Sequence, residues 1–277
     1  MTFTGMTTAH PRLVLIDTLR GVAIALMVVF HFCYDLSYFG LVGFDFYRDS
    51  FWLNARTFIL SSFLFLVGVS LVLATRRGLN VGRYLYRLGY LVAAALLVSL
   101  GTWWLFGERF VFFGVLHFIV LASVLGLLFV RVGWINLLLG IGLIVLGSRY
   151  QSAWFDTVGY RWIGLMTHKP ATEDYVPLLP WFGVVLIGMA AAPFMRRFAE
   201  RATPSFRRMP ESSKQSSEFM DSGIRRNDGL KKCNYRQTGR CLMTGLAFSG
   251  RHSLLIYLLH QPLLIGLLTL YAGSLPA

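Results

Sequence analysis

Residues 88–107 read LGYLVAAALLVSLGTWWLFG and contain no Asp, Glu, Lys or Arg. A helix of about 20 residues, rising about 1.5 Å per residue, is long enough to cross the hydrocarbon core of a bilayer. In hydrocarbon, every backbone N–H and C=O must be bonded within its own segment or within a closed barrel. The run lacks the alternation of a barrel strand, so a membrane-spanning helix is predicted.

Similar runs occur along the chain, which has 277 residues, of which 56% are hydrophobic and only 14% charged, and a mean hydropathy of +0.60. The other charge-free runs cover residues 58–75, 110–130, 132–148, 176–195 and 253–277. A first span is predicted over residues 13–34, where Asp17, Arg20 and His31 interrupt an apolar stretch. The prediction is therefore an all-α, polytopic transmembrane bundle of about seven spans.

The spans are expected to form one membrane domain, with six spans within residues 1–200 and the last within residues 245–277. Residues 203–240 are rich in Ser, Arg, Lys, Asn and Asp, and are predicted to be a disordered cytoplasmic insert. Residues 1–35 lack the pattern of a cleavable signal peptide, so the first span is expected to remain. Cys33, Cys233 and Cys241 show neither metal spacing nor a disulfide framework.

The net charge of +13 comes mainly from basic residues at span ends and in the insert. They are not interleaved with aromatic residues on a soluble face, so membrane topology is favoured over nucleic-acid binding. Three connections carry the arginines and are predicted to be cytoplasmic, which also places the N-terminus there: Arg76, Arg77, Arg83 and Arg87 in the first, Arg131 in the second, and Arg196, Arg197 and Arg201 in the third. Residues 149–175 then form an outer connection, expected to be an interfacial helix, a lid or an aromatic anchoring belt.

Four ionisable residues of the first span, Asp17, Arg20, His31 and Asp35, project within about 60° of one another on a helix. Ionisable groups at membrane depth are costly and usually face a partner or a polar cavity. His31 lies about 21 Å from Asp17 along the axis, so two separate polar regions are predicted. Asp17 and Arg20 could form a structural pair or face a cofactor, whereas Asp35 has the spacing to orient His31 as a general base.

Two further histidines fall within predicted spans. His117 lies in the outer half of the fourth span, and His260 lies midway along the last span, shortly before Pro262, which should loosen or kink the helix. Each alone is typical of a hydrogen-bonded packing residue. Together with His31 they suggest a shared site, and haem ligation by a histidine pair is an alternative.

Four stretches resemble membrane acyltransferases when taken together and in order. They are RLVLIDTLRGVAIALMVVFHFCYD at 12–35, GVLHFIVLASVLGLL at 114–128, DYVPLLPWFG at 174–183 and GRHSLLIYLLHQPLLIG at 250–266. The first has the pattern R-x4-D-x-L-R-G-x-A with a later His, shared with the wider acyltransferase superfamily. All four together resemble the bacterial branch related to heparan-alpha-glucosaminide N-acetyltransferase.

The resemblance implies transfer of an acetyl group from cytoplasmic acetyl-CoA to an amino sugar or related acceptor outside a bacterial inner membrane. The CoA-side residues it implies are Asp17, Arg20, Arg76, Arg77, Arg87, Arg251 and His252. The catalytic residues it implies are His31, Asp35, His117 and His260. Animal members carry a loop histidine proposed as an acetyl carrier, but residues 36–51 contain no His here, which favours direct transfer in a ternary complex.

Other readings remain open from the residues. A transporter or lipid-handling protein would use the four ionisable residues on one side of the first span to conduct protons or substrate, although no internal repeat is visible. A structural or assembly partner would leave the costly intramembrane residues His31, Asp35 and His260 unexplained. No metal is expected, and partners are predicted to be a small-molecule or glycan acceptor, membrane lipid and, where an oligomer forms, a second copy of the chain.

Overall fold

A computed structural model describes residues 14–172, 174–202 and 243–273. Within these residues the chain forms eight α-helices and no strand, which confirms the all-α prediction. The helices are α1 Val14–Tyr38, α2 Ser50–Thr75, α3 Val81–Phe106, α4 Val115–Phe129, α5 Ile135–Arg149, α6 Leu178–Ala202, α7 over residues 243–251 and α8 Ser253–Ala272. The predicted insert at 203–240 lies outside the described residues, and so do Cys233 and Cys241.

All seven predicted spans form helices, and five of them are long and apolar enough to cross a membrane: α1, α2, α3, α6 and α8. The other two, α4 and α5, have 15 residues each and measure about 22 Å, short of a hydrocarbon core of about 30 Å. The chain is thus a multi-pass membrane protein with five full-length spans and two shorter apolar helices among its described residues.

Two helices begin earlier than the charge-free runs suggested, because polar side chains cap their first turns. The carboxylate of Asp49 accepts a hydrogen bond from the N–H of Phe51 at the start of α2. The side chain of Asn80 accepts one from the N–H of Arg83 at the start of α3. Counting uncharged residues locates the apolar part of a span, whereas caps determine where its backbone hydrogen bonding begins.

Helix α6 lies at the centre of the bundle, packed along α2 on one side and α5 on the other. Small residues permit these close approaches. Gly68 and Gly188 lie where α2 and α6 cross, and Gly140 and Gly183 lie where α5 and α6 cross, each against backbone of the opposite helix. Such contacts are typical of helices in membranes, where close backbone packing replaces much of the hydrophobic driving force.

Helices α7 and α8 return the chain to α1. At the α1–α7 crossing, Gly21 lies against the carbonyl of Leu246, and Gly250 lies against the carbonyl of Asp17. Helix α8 then runs beside α1. On its other side, Tyr257 of α8 packs against a small cluster of buried residues from α3 and α4. This arrangement places the polar residues of α8 between α1 and α4.

The connection from α5 to α6, predicted as an interfacial helix, a lid or an aromatic anchoring belt, forms two short 3-10 helices, Ala153–Asp156 and Arg161–Ile163. It is tied to the rest of the fold by hydrogen bonds from Thr172 Oγ1 to the carbonyl of Phe110 (2.7 Å) and from the N–H of Val176 to the carbonyl of Phe113 (3.2 Å). The connection therefore covers the start of α4.

Candidate functional site

Four side chains from α1 and α8 meet near the carboxyl end of α1, and are called here the histidine cluster: His31, Asp35, His260 and Gln261. The rings of His31 and His260 lie 5.0 Å apart between centroids, tilted by 59°. Asp35 is only 1% exposed, and its Oδ1 accepts a hydrogen bond from Gln261 Nε2 at 2.8 Å. Three residues predicted from sequence are thus brought together, and Gln261 is added to them.

The predicted hydrogen bond from the imidazole of His31 to the carboxylate of Asp35 is not formed. The imidazole of His31 faces His260 and meets Phe30 edge-on, with ring centroids 5.8 Å apart. Asp35 instead receives its hydrogen bond from the amide of Gln261 on α8. The i, i+4 spacing permits this pair within α1. In the fold, His31 packs against other rings instead, and Gln261 of α8 supplies the donor to Asp35.

The tautomer of neutral His260 is set by a backbone carbonyl of the same helix. Its Nδ1 lies 2.7 Å from the carbonyl oxygen of Tyr257, which can only accept, so Nδ1 carries the hydrogen. The neutral ring then has its lone pair on Nε2. That atom is buried and has no hydrogen-bond partner among the described residues. His260 therefore presents an unprotonated nitrogen, which is what a general base requires.

Other polar atoms in the histidine cluster are also buried without a hydrogen-bond partner among the described residues. Four are buried without a hydrogen-bond partner in the described part of the chain: His31 Nδ1, Asp35 Oδ2, His260 Nε2 and Gln261 Oε1. Buried polar groups are nearly always hydrogen-bonded, and unsatisfied ones call for a reason. Four in one place are typical of a site that binds a polar ligand.

His117 belongs to a separate group, although it was predicted to share the site. Its Nε2 lies 3.1 Å from Ser99 Oγ, which in turn donates to the carbonyl of Val111 at 2.6 Å. The N–H of Gly114 donates to its Nδ1 at 3.4 Å. Both ring nitrogens are therefore engaged by α3 and the start of α4, and this geometry stabilises the turn that opens α4.

Asp174 and Tyr257 form a polar contact that sequence reasoning missed. Asp174 Oδ2 accepts hydrogen bonds from the N–H of Val115 at 2.8 Å and from the hydroxyl of Tyr257 at 3.4 Å. Burial raises the pKa of this carboxyl, which lies in the connection before α6. Tyr257 also lies beside His260, with ring centroids 5.8 Å apart. The sequence signal for Asp174 was its position just before the charge-free run at 176–195. The sequence signal for Gln261 was its position next to His260.

A second polar group, called here the arginine cluster, lies near the amino end of α1 and comprises Asp17, Arg20, Ser70, Tyr84 and Arg87. Arg20 pairs with Asp17 at 3.6 Å and donates a hydrogen bond to Ser70 of α2. The positive charge of Arg87 on α3 acts on Arg20, and also on Tyr84. The hydroxyl of Tyr84 is buried without a hydrogen-bond partner in the described residues. Arg20 is thus joined to Asp17 and Ser70 by direct contacts and lies within the electrostatic influence of Arg87.

The remaining predicted CoA-side residues lie at the ends of other helices. Arg76 and Arg77 are exposed at the end of α2. Arg251 and His252 are exposed where α7 meets α8, and each bonds to a carbonyl of its own segment, Ala247 and Phe248 respectively. Sequence reasoning therefore located Asp17, Arg20 and Arg87 in one cluster, but missed Ser70 and Tyr84, which carry no charge and gave no signal.

The two clusters lie at opposite ends of α1. Arg20 and His31 are eleven positions apart, which corresponds to about 16 Å along the helix. In residues 14–172, 174–202 and 243–273, no three His, Cys, Asp or Glu side chains are grouped so that they could hold a metal ion.

Comparison with known proteins gives one result. The family model described as heparan-alpha-glucosaminide N-acetyltransferase, catalytic, matches residues 12–220. This range includes the residues that α1 contributes to the two clusters, which are Asp17, Arg20, His31 and Asp35. It ends before α7 and α8. No curated protein and no solved structure matches the chain. Because the family model covers well over half of the chain, the chain belongs to the heparan-alpha-glucosaminide N-acetyltransferase catalytic family.

Proposed function

We propose that this protein moves an acetyl group from acetyl-CoA, bound at the arginine cluster, to the amino group of a sugar or related acceptor at the histidine cluster. Membership of the family supports acetyltransferase chemistry in a membrane. The observation that carries the proposal is the close pair of His31 and His260 rings, in which the hydrogen bond from His260 Nδ1 to the carbonyl of Tyr257 leaves the lone pair on His260 Nε2.

The arginine cluster suits the phosphates of CoA. Arg20 and Arg87 repel each other, and an anion between them would offset that repulsion. Guanidinium groups bind phosphate through paired N–H donors. The hydroxyls of Ser70 and Tyr84 could add further hydrogen bonds. Because this cluster lies about 16 Å from His31 along α1, the thioester must reach the reaction site on a long flexible arm, which CoA has.

At the histidine cluster, His260 Nε2 removes the proton from the acceptor nitrogen as that nitrogen attacks the thioester carbonyl. A C–N bond forms, the C–S bond breaks, and the departing thiolate takes up the proton that His260 accepted, so that CoA leaves as the thiol and His260 is neutral again. His31 lines the same space and positions the acceptor. Asp35 and Gln261 act as positioning residues, since their hydrogen bond fixes α1 against α8.

The orientation proposed for the protein follows the distribution of arginines. Arg76 and Arg77 follow α2, Arg83 lies in the first turn of α3, and Arg131 lies between α4 and α5. The positive-inside rule places this end of the bundle in the cytoplasm. The amino end of α1 is then cytoplasmic, the membrane is the bacterial inner membrane, and the histidine cluster opens toward the outside. Transfer is direct, in a ternary complex, because residues 36–51 contain no histidine to carry the acetyl group.

The test is release of CoA by the protein purified in detergent, with acetyl-CoA as donor and a panel of amino sugars as acceptors. His31→Ala and His260→Ala should each abolish acceptor-dependent release while acetyl-CoA still binds. His117→Ala is the matched control, because His117 belongs to the α3–α4 turn, and its turnover per folded molecule should be retained. The proposal is wrong if the wild-type protein releases no CoA with any amine, or if His260→Ala keeps full activity.

A further inference from the structure

Helix α8 carries His260 in a turn whose backbone hydrogen bonding is incomplete. Pro262 lies within the helix and has no N–H, so the carbonyl of Leu258 cannot receive the hydrogen bond that an α-helix normally gives it. A proline inside a helix also loosens the turn that precedes it. Residues 257–261 form that turn, and they include His260. The placement of the imidazole therefore depends on contacts between this turn and other parts of the fold.

Two side-chain hydrogen bonds fasten the turn to its surroundings. Gln261 donates to Asp35 of α1 at 2.8 Å. Tyr257 donates its hydroxyl to Asp174 Oδ2 at 3.4 Å, in the segment before α6. Positions 257 and 261 are one helical turn apart and share a face of α8, and His260 lies between them in the chain. The turn is thus anchored at both of its ends.

Asp174 is itself held at the start of α4. Its Oδ2 accepts the N–H of Val115, the first residue of that helix, at 2.8 Å. Gly114 permits this close approach, because a Cβ at that position would overlap the carboxylate. Two residues after Asp174, the N–H of Val176 donates to the carbonyl of Phe113 at 3.2 Å. The carboxylate that receives the Tyr257 hydroxyl therefore belongs to a well-anchored part of the fold.

The ring and the backbone of Tyr257 both meet His260. The two rings lie 5.8 Å apart between centroids. The carbonyl oxygen of Tyr257 lies 2.7 Å from His260 Nδ1 and sets the tautomer that leaves the lone pair on Nε2. A shift of Tyr257 would therefore move the imidazole and weaken the hydrogen bond that sets its tautomer.

We propose that Asp174 and Tyr257 are positioning residues for the general base His260. Asp174 holds the hydroxyl of Tyr257, and Tyr257 holds the imidazole through its ring and its carbonyl oxygen. The inference rests on the proposed function, which makes His260 the base. It gives the segment before α6, which lies outside the membrane spans, a part in the acetyl transfer.

The first test compares kcat and KM of Tyr257→Phe and the wild-type protein, both as the full chain purified in detergent. The substitution keeps the ring and removes the hydroxyl. Because the base is then less well placed but still present, kcat should fall about tenfold while KM for acetyl-CoA stays unchanged. Tyr175→Phe is the matched control. It also removes a hydroxyl hydrogen bond, to the carbonyl of Arg161 at 2.6 Å, but that bond lies within the α5–α6 connection, so kcat should stay as in the wild type.

A conservative substitution tests the role of the carboxylate. Asp174→Asn keeps a side-chain oxygen that can accept from the N–H of Val115 and from the hydroxyl of Tyr257, whereas Asp174→Ala keeps none. Turnover per folded molecule should therefore be higher in Asp174→Asn than in Asp174→Ala. Equal turnover in the two variants would contradict the role given to Asp174.

NMR of the imidazole nitrogens provides a measurement that does not depend on turnover. The signals of His260 are identified by their loss in His260→Gln. The wild-type protein should show a protonated Nδ1 and an unprotonated Nε2, Tyr175→Phe should show the same, and Tyr257→Phe should show a mixture of the two tautomers.

The inference is wrong if Tyr257→Phe keeps the kcat of the wild type, or if its His260 signals are those of the wild type. These outcomes differ from failure of the proposed function. A wild-type protein that transfers no acetyl group, together with a changed tautomer in Tyr257→Phe, would reject acetyl transfer and keep the anchoring of His260. Transfer that requires His260 but is unaffected by Tyr257→Phe would reject the anchoring alone.

Discussion

Replacing Gln261 by Leu tests the contact that joins α1 to α8. The substitution keeps the side chain close in size but removes the amide that donates to Asp35 at 2.8 Å. Asp35 is 1% exposed and its other oxygen already lacks a partner in the described structure, so no second donor is at hand. Hydrogen bonds to charged groups contribute about 1.5–3 kcal/mol, and stranding a buried charge costs about 3–5 kcal/mol. We expect a loss of about 3 kcal/mol in the free energy of unfolding.

The assay is equilibrium unfolding in mixed micelles, run as a double-mutant cycle with Gln261→Leu, Asp35→Leu and the double variant. Removing both partners should cost less than the sum of the two single changes, because neither polar group is then left buried alone. Thr269→Val, which removes a hydroxyl bonded to the carbonyl of Ile265 within α8, controls for loss of a polar group from that helix. The reasoning fails if Gln261→Leu unfolds like the control, or if the cycle is additive.

Two further substitutions test the packing around the site. Asp174→Ala removes the acceptor for the Val115 N–H and the Tyr257 hydroxyl and should cost about 1–3 kcal/mol in unfolding free energy, whereas Asp174→Asn keeps an acceptor oxygen and should cost less. Because burial raises the pKa of Asp174, the folded protein holds this proton more tightly than the unfolded chain, so the contribution of Asp174 to stability should fall as pH rises through the raised pKa. Unfolding measured across that range should show a flatter pH dependence in Asp174→Asn, and an unchanged slope would contradict the assignment. Gly188→Ala places a Cβ against the α2 backbone and should cost about 1–3 kcal/mol, while Gly142→Ala in α5, with open space around it, should be neutral or slightly stabilising; equal thermal shifts would refute the close crossing.

The sequence was sufficient for the helices because hydrocarbon allows so few backbone structures. A charge-free run such as residues 88–107 must bond its backbone internally, so α3 could be predicted without knowledge of its neighbours. The same reasoning singled out His31 and Asp35, since ionisable residues in a span are costly. The charge-free runs did not predict where α2 and α3 begin, because the capping residues Asp49 and Asn80 lie outside those runs.

Partner choice within the site was decided by tertiary structure alone. Asp35 and Gln261 are 226 positions apart, and nothing in the spacing of α1 indicates that α8 supplies the donor. In the same way, two histidines with equal standing in the sequence separate in the fold, since His117 closes the α3–α4 turn whereas His260 meets His31. Periodicity along one helix determines which direction a side chain faces, but the helix that it meets depends on how α1, α4 and α8 pack, and that packing is settled by contacts between residues far apart in the chain.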